Sequence, residues 1–493
     1  MKRLSSAEID LLPGIVQRPG YDRHATKAGI VHIGIGAFHR AHQAVYTEDV
    51  LNLDGGDWAI IGASLRSPDV RDQLIPQNCL YTLLERNING EKIRLVGALK
   101  DILVGPEDPT RLITVIAGSN IKIVSLTITE KGYYLDPATG KIQLEHQDIQ
   151  HDLKNPDRPK TVYGYLLAAL KIRRANGQPL TIMSCDNLVK NSKILRDALL
   201  AFTASGCPDM ASWITRHCRF PCSMVDRMVP ATTAQDRLAH AQNIRLLDHA
   251  LVTCETFRQW VIEDDFANGR PAWEKAGALM VKDVSGFEAV KLRLLNGAHS
   301  AIAYLGFLAG YDYIYQAAQN KTIARYITKL IDEEITPGLT LPEGINIEEY
   351  KKNILTRFAN PTVKYTTAQV AMDGSQKLPQ RWLNSLHYQL DHGGQYDLLC
   401  LAIASWIRYL QGVDEKGEAY VTHDPLRLEL DKLISNKDLS LRETVAGVIS
   451  LQVIFGGKLH KNNALLDRIT YWLENLTKHG ALKSLELSIR NNG

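Results

Sequence analysis

The stretch "KLRLLNGAHS", Lys291 to Ser300, sets a lysine, an asparagine and a histidine into an otherwise apolar helical pattern. At ~100° per residue, Lys291, Asn296 and His299 fall within an arc of about 140°, with Asn296 and His299 one turn apart. Three polar heads on one face can serve one pocket. A partly buried lysine can act as a general base, because desolvation and a nearby cation both disfavour its ammonium form. Asparagine amides are uncharged donors for an oxygen that gains charge as it loses its proton. Singly, each residue reads as ordinary: a snorkelling lysine, an asparagine capping a break before Gly297, a satisfied core histidine. Together on one arc they point to removal of a proton from a hydroxyl group.

A second pattern lies near the start. "AGIVHIGIGAFHRAHQAVYTEDVLNL" opens on a β-branched run, Ile30 to Ile33, breaks at Gly34-Ile35-Gly36, and continues at helical spacing through Ala41, Val45, Tyr46, Val50 and Leu51. A glycine turn between strand and helix lets the backbone approach a pyrophosphate, whose charge is met by free amides at the helix start. The third glycine of the usual fingerprint is replaced by His39. Asp69, in "SLRSPDV", is placed to accept hydrogen bonds from an adenosine ribose and to repel a 2′-phosphate, which favours NAD; nearby Arg66 would instead welcome that phosphate. Asp69 also reads as a turn residue beside Pro68. A dinucleotide and a base together suggest hydride transfer from a secondary alcohol. Asn187 ends the apolar run "LTIMSCDN", and strand carboxyl ends are where such sheets bind ligands. The two asparagines, Asn187 and Asn296, are expected to converge on one cleft from separate domains.

The elements that must position these residues follow from periodicity. After the first strand come "WAIIGASL", a hairpin formed by "LYTLLER" and "KIRLVGAL" around "NINGE", and the apolar strand "IKIVSLTIT". "KTVYGYLLAALKIRRANGQP" reads as a helix closed by Asn176-Gly177 with Pro179 beyond. Strands alternating with helices imply an α/β fold, a Rossmann-like doubly wound parallel sheet, over the first half. From about residue 286 β-branched alternation fades and helical spacing takes over. A chain of 493 residues exceeds one core, so two domains are expected, 1–285 for the dinucleotide and a mostly α-helical 286–493 for the substrate.

Bulk properties exclude other classes. Lys plus Arg number 57 against 54 for Asp plus Glu, a net charge of +3, which gives no polyanion-binding signal and argues against nucleic acid. No run of ~18 apolar residues and no leader-like segment occurs, so no membrane partner and a cytoplasmic location are expected. The seven cysteines are an odd, scattered set, suited to reduced thiols. "HCRFPC" (His217, Cys218, Cys222) lacks a second ligand pair, and no metal site is expected.

The segments "GIGAFHRAHQ", "IVSLTITEKGY", "MSCDN", "MVDRMVP", "RQWVIEDDF" and "KLRLLNGAHS" together resemble the long-chain, metal-independent polyol dehydrogenase family. That family includes mannitol 2-dehydrogenase and the fructuronate and tagaturonate oxidoreductases. The resemblance implies Lys291 as general base, Asn187 and Asn296 as oxyanion donors and His299 as the substrate-orienting histidine. It implies Glu288 as a proton relay, against the plainer reading of an exposed helix carboxylate. NAD would be held by Gly34, Gly36, Phe38, Arg40, Arg66 and Asp69. Substrate contacts would come from Asp226, Arg227, Lys377 and the position of Gln369, where mannitol-type members carry an arginine. "WAIIGASLRSPD" looks mannitol-like, whereas "AMDGSQKLPQR" looks uronate-like, and the uronate-type "HRTW" is replaced by "YTTA" (Tyr365 to Ala368).

The expectation is therefore an NAD-linked oxidoreductase of a polyol and its ketose, with D-mannitol and D-fructose leading, because a carboxylate would want a dedicated cation. The alternatives are a hexuronate reductase and an NADH-sensing binding protein without chemistry. A monomer is expected, since no sustained heptad pattern appears.

Overall fold

The computed structural model describes residues 1–136 and 139–490. Two compact units divide the chain, Met1–Ser285 and Gly286–Gly493.

The first unit is built on six parallel strands: β1 (Ala28–Ile33), β2 (Ala59–Ser64), β3 (Leu99–Val104), β4 (Ile123–Leu126), β5 (Leu180–Ser184) and β6 (Cys218–Arg219). Their spatial order is β3-β2-β1-β4-β5-β6, so the direction of progression reverses between β1 and β4. This is the doubly wound, Rossmann-like sheet expected from the alternation of strands and helices. Pleating sends Val31, Ile33, Val124, Leu126 and Ile182 into one core, and Ile30, Ile123 and Met183 into the other. Both faces are covered, which is why these strands read as continuous apolar runs.

The hairpin is Tyr81–Asn87 against Gly90–Val96, antiparallel, closed by Ile88 and Asn89. A partner that the sequence did not announce, Val252–Glu255, adds in parallel to Tyr81–Asn87. A third small sheet holds Ser223–Asp226, Gln259–Glu263 and Leu279–Val281. The helix read from "KTVYGYLLAALKIRRANGQP" spans Val162–Ala175. Its N-cap, Thr161, accepts the Gly164 amide, and Gly177 beyond its end is left-handed.

The helix expected after the glycine turn is two pieces. Ala37–Ala41 ends at His42, whose φ of −120° and ψ of −93° break the axis before Gln43–Asp54 begins. All seven cysteines are unpaired thiols. No helix among the described residues is long and apolar enough to cross a membrane.

The second unit is mostly helical. Every residue of the helix Asp397–Leu410 is buried, so its first-turn amides must be satisfied by protein. Glu334 supplies this: its two carboxylate oxygens each accept one amide, from Leu398 and Leu399, at 2.7 Å. Asp397 closes the same end, accepting from Arg468 and from Trp472 Nε1. Burial pushes the Glu334 carboxyl up to about 8, against the opposing pull of the two amides.

Because that value lies above the ordinary 4.5, the folded state holds the proton more tightly than the unfolded chain. The associated stability is complete below the ordinary value and is lost as pH rises through 8. The thermal midpoint of the wild type is therefore expected to fall between pH 5.5 and 8.5, and this part of the slope to vanish in Glu334→Gln. Calorimetry across that range checks it, and identical slopes in the two proteins would contradict the assignment.

Candidate active site

A cavity of about 1100 Å³ opens at the carboxyl ends of β1 to β4. It is walled by the residues that follow each strand, among them Gly34 and Gly36 after β1, Arg66 and Ser67 after β2, Pro106 and Glu107 after β3, and Thr127 to Thr129 after β4. This is the end of the sheet, and the strand reversal, at which doubly wound folds bind ligands.

Gly34 has φ +101°, and a Cβ there would stand 1.9 Å from the Thr127 carbonyl oxygen. Only glycine fits. A Cβ on Gly36, by contrast, would meet nothing within 4 Å. The first glycine is thus dictated by the neighbouring strand, whereas no protein atom dictates the second. His39, at the third fingerprint position, turns away and stacks on His32, ring centroids 3.5 Å apart.

The expected cofactor residues separate. Gly34, Gly36 and Arg66 line the cavity; Phe38, Arg40 and Asp69 do not. Arg40 is buried, donating to the Ala250 carbonyl and lying over the Tyr81 ring at 5.5 Å, so its role is structural here. Phe38 stacks on His42. Asp69 is exposed in the first turn of Asp69–Leu74 and accepts from Ser67 Oγ at 3.0 Å, so it bears on the cavity through Ser67.

Sequence reasoning missed several wall residues. Thr129 has φ +61°, a rare conformation for a β-branched residue. Its amide donates to Asp186 Oδ1 at 2.9 Å, while Ile128 N and Tyr133 Oη donate to Oδ2 at 3.0 and 2.7 Å. Burial raises the Asp186 carboxyl and these three donors oppose it. The cavity is also lined by His151, in the helix Gln147–Lys154, and by Arg158 and Lys160 on the loop after it, which is tied down by Asp152 accepting from Lys160 N, Thr161 N and Thr161 Oγ1. Nothing in their periodicity marked these residues. Asn187 follows β5 by three residues and is exposed. Asp226 ends the strand Ser223–Asp226 and is buried. Arg227, expected at the substrate, has a fully buried guanidinium committed to Glu85 and to the carbonyls of Ala41 and Glu255. Those bonds make it a strut.

In the second unit the polar turn departs from an α-helix. Lys291–Asn296 is a π-turn between Ser285–Val290 and Gly297–Leu308, in which Gly297 N reaches back to Leu292 O. Bonding from i to i+5 brings residues five apart over one another, so Lys291 and Asn296 align more closely than the 3.6-residue period implies. Both are buried, at 7% and 9% exposure, as is Glu288 at 5%, against the exposed carboxylate that the sequence allowed. Asn296 Nδ2 is buried with no hydrogen-bond partner among the described residues. His299 stacks on Phe358, centroids 4.9 Å apart, with Tyr365 at its edge.

A second π-turn, Pro379–Leu383, braces the first. Arg381 Nη1 donates to the Asn296 carbonyl at 3.1 Å and to Ser300 Oγ, and Trp382 Nε1 donates to the Gly297 carbonyl at 3.0 Å. Gln369, at the position where an arginine was expected, is exposed and closes a capping box with Thr366. Lys377 donates to the carbonyls of Val370 and Met372.

The chain is similar to known proteins over nearly its whole length. Residues 28–275 match the family model of the mannitol dehydrogenase Rossmann domain, and residues 283–477 that of the mannitol dehydrogenase C-terminal domain. D-mannonate oxidoreductase of Escherichia coli is 40% identical over 94% of this chain and 96% of its own. Mannitol 2-dehydrogenase of Aspergillus oryzae is 40% identical over 95% of each. The solved ternary complex of Pseudomonas fluorescens mannitol 2-dehydrogenase with NAD and D-mannitol is 37% identical, with a TM-score of 0.90 over 99% of both chains. With a doubly wound sheet and a helical unit each matched by its own family model, the chain belongs to the mannitol dehydrogenase family of oxidoreductases.

Proposed function

We propose that the protein interconverts D-mannitol and D-fructose with NAD, and that Lys291 is the base. What supports this reading most is the pairing on one π-turn of a buried lysine with a buried amide donor, Asn296 Nδ2, that no described residue takes. Orphaned buried donors are costly and rare unless something else accepts from them. An alkoxide oxygen is such an acceptor.

In this reading Lys291 Nζ removes the proton of the secondary hydroxyl, and the Asn296 amide donates to the oxygen as charge develops on it. His299, its ring fixed by Phe358, orients a neighbouring hydroxyl. Glu288, buried within a turn of Lys291, passes the proton on toward water. The cavity of the first unit holds the dinucleotide, Gly34 and Gly36 at its phosphates and Arg66, Ser67 and Asp69 at its adenosine side; NAD supplies the hydride acceptor when bound. Lys377 and Asp226 are assigned to substrate contact.

A neutral polyol is favoured over a uronate because the position of Gln369 offers no cation, its side chain closing a helix cap. The D-mannonate oxidoreductase relative, at 40% identity, keeps the uronate reading as the competitor. Initial rates with NADH against fructose, fructuronate and tagaturonate are expected to be highest with fructose; a higher rate on either uronate overturns the substrate choice. Lys291→Ala is expected to lower turnover by about 10²- to 10⁴-fold, the usual contribution of a general base. NADH binding, followed by its fluorescence, should survive in that variant. Turnover within a few-fold of wild type would remove Lys291 from the role.

A further inference from the structure

A polar line crosses the apolar face of the sheet directly beneath the glycine turn. His32 of β1 and Ser125 of β4 are cross-strand partners at the point where the strand order reverses. His32 is fully buried, its Nδ1 2.8 Å from Ser125 Oγ and its Nε2 2.8 Å from Thr127 Oγ1 and 3.2 Å from the Gly34 carbonyl oxygen. Ser125 Oγ lies 2.8 Å from the side-chain amide of Gln43, and Thr127 Oγ1 lies 2.7 Å from the Gly34 oxygen. Five groups thus form one unbroken sequence: Gln43 amide, Ser125, His32, Thr127, Gly34 carbonyl. Burial pushes the His32 imidazole down to about 3, so near neutral pH it carries a single N–H.

That single proton can sit on either nitrogen, and the two choices are not equivalent. With Nδ1 protonated, Ser125 accepts from His32 and donates to the Gln43 oxygen. Nε2 then presents a lone pair to two oxygens, of which Thr127 can offer a proton to only one. The Gln43 Nε2 group, buried and without a partner among the described residues, also stays unsatisfied. With Nε2 protonated and the Gln43 amide turned about, every member donates onward: Gln43 Nε2 to Ser125, Ser125 to His32 Nδ1, His32 Nε2 to Thr127, and Thr127 to the Gly34 oxygen. The turn of the amide also puts the Gln43 oxygen where its partnerless Nε2 stood. Amide orientation and imidazole tautomer are set by such networks, and the order that satisfies all members is the one to assign.

We propose that His32 is locked as the Nε2–H tautomer and is a positioning residue for the dinucleotide turn. It holds the Gly34 carbonyl toward the protein so that the phosphates meet amides. Gly34 and Thr127 both line the cavity, and the Gly34 oxygen gathers the Gly36 amide at 2.7 Å besides Thr127 and His32. Freed of these donors, that oxygen would turn toward the cavity, where its partial negative charge repels a pyrophosphate. The proposal rests on the reading that this cavity takes NAD.

The tautomer is read in the wild type by long-range 1H–15N correlation on histidine-labelled protein: His32 should show protonated Nε2 and a lone pair on Nδ1, and protonated Nδ1 overturns the assignment. Two variants test the role. His32→Gln places an amide where Nε2 stood and reaches Thr127, whereas His32→Asn reaches only Ser125. His32→Asn is expected to weaken NADH binding about tenfold with kcat at saturating NADH little changed, and His32→Gln to restore binding. Equal NADH affinity in both variants, or a loss confined to kcat, contradicts the role. A wild type that binds no NADH would instead defeat the dinucleotide reading, with the tautomer still judged by its spectrum.

Discussion

The first unit is organised around one missing atom. A side chain at residue 34 would collide with the Thr127 carbonyl, so the chain can turn at the end of β1 only where that residue is glycine. Because the turn is pressed against the adjoining strand, its position is inherited from the register of β1 on β4, which pairs His32 with Ser125 and Ile33 with Leu126. Sheet register in turn is fixed by burial on both faces, since a slip of one residue would exchange the two cores. The location of the glycine turn at the cavity is therefore a consequence of apolar packing some distance below it.

The second unit solves a different problem, how to bury a lysine and an asparagine in one turn of an apolar helix. A π-turn does this by inserting one residue into the period, and insertions of this kind need external support. Arg381 and Trp382 provide it through the carbonyls of Asn296 and Gly297. Both braces come from another π-turn, Pro379–Leu383, so two irregular helical segments hold one another in place.

Much of this was legible in the residues. The alternation of apolar runs and helical periods specified a doubly wound sheet, the hairpin around "NINGE" and the change of texture near residue 286, because these depend on local pattern and burial. The glycine turn was legible for the same reason. The π-turn was not: apolar spacing in "KLRLLNGAHS" fits a period of 3.6, and the extra residue is decided by Arg381 and Trp382, some 85 positions later in the chain. Nor could the sequence tell which arginines face a cavity. Arg40 and Arg227 looked like ligand contacts, yet their partners are backbone carbonyls and Glu85, fixed only by tertiary packing. Arg158 and Lys160 gave no periodic signal and line the wall. Glu288 shows the limit for a carboxylate, since helix spacing near an element boundary does not say which side is covered.

Thr129 carries a broader implication. Its backbone, at φ +61° and ψ 166°, sits where only a glycine would rest without strain, and Asp186 is what keeps it there. Relaxing that residue would make the protein sturdier while blurring the contour of the wall it shapes. At this position the molecule gives up some endurance for a well-defined surface.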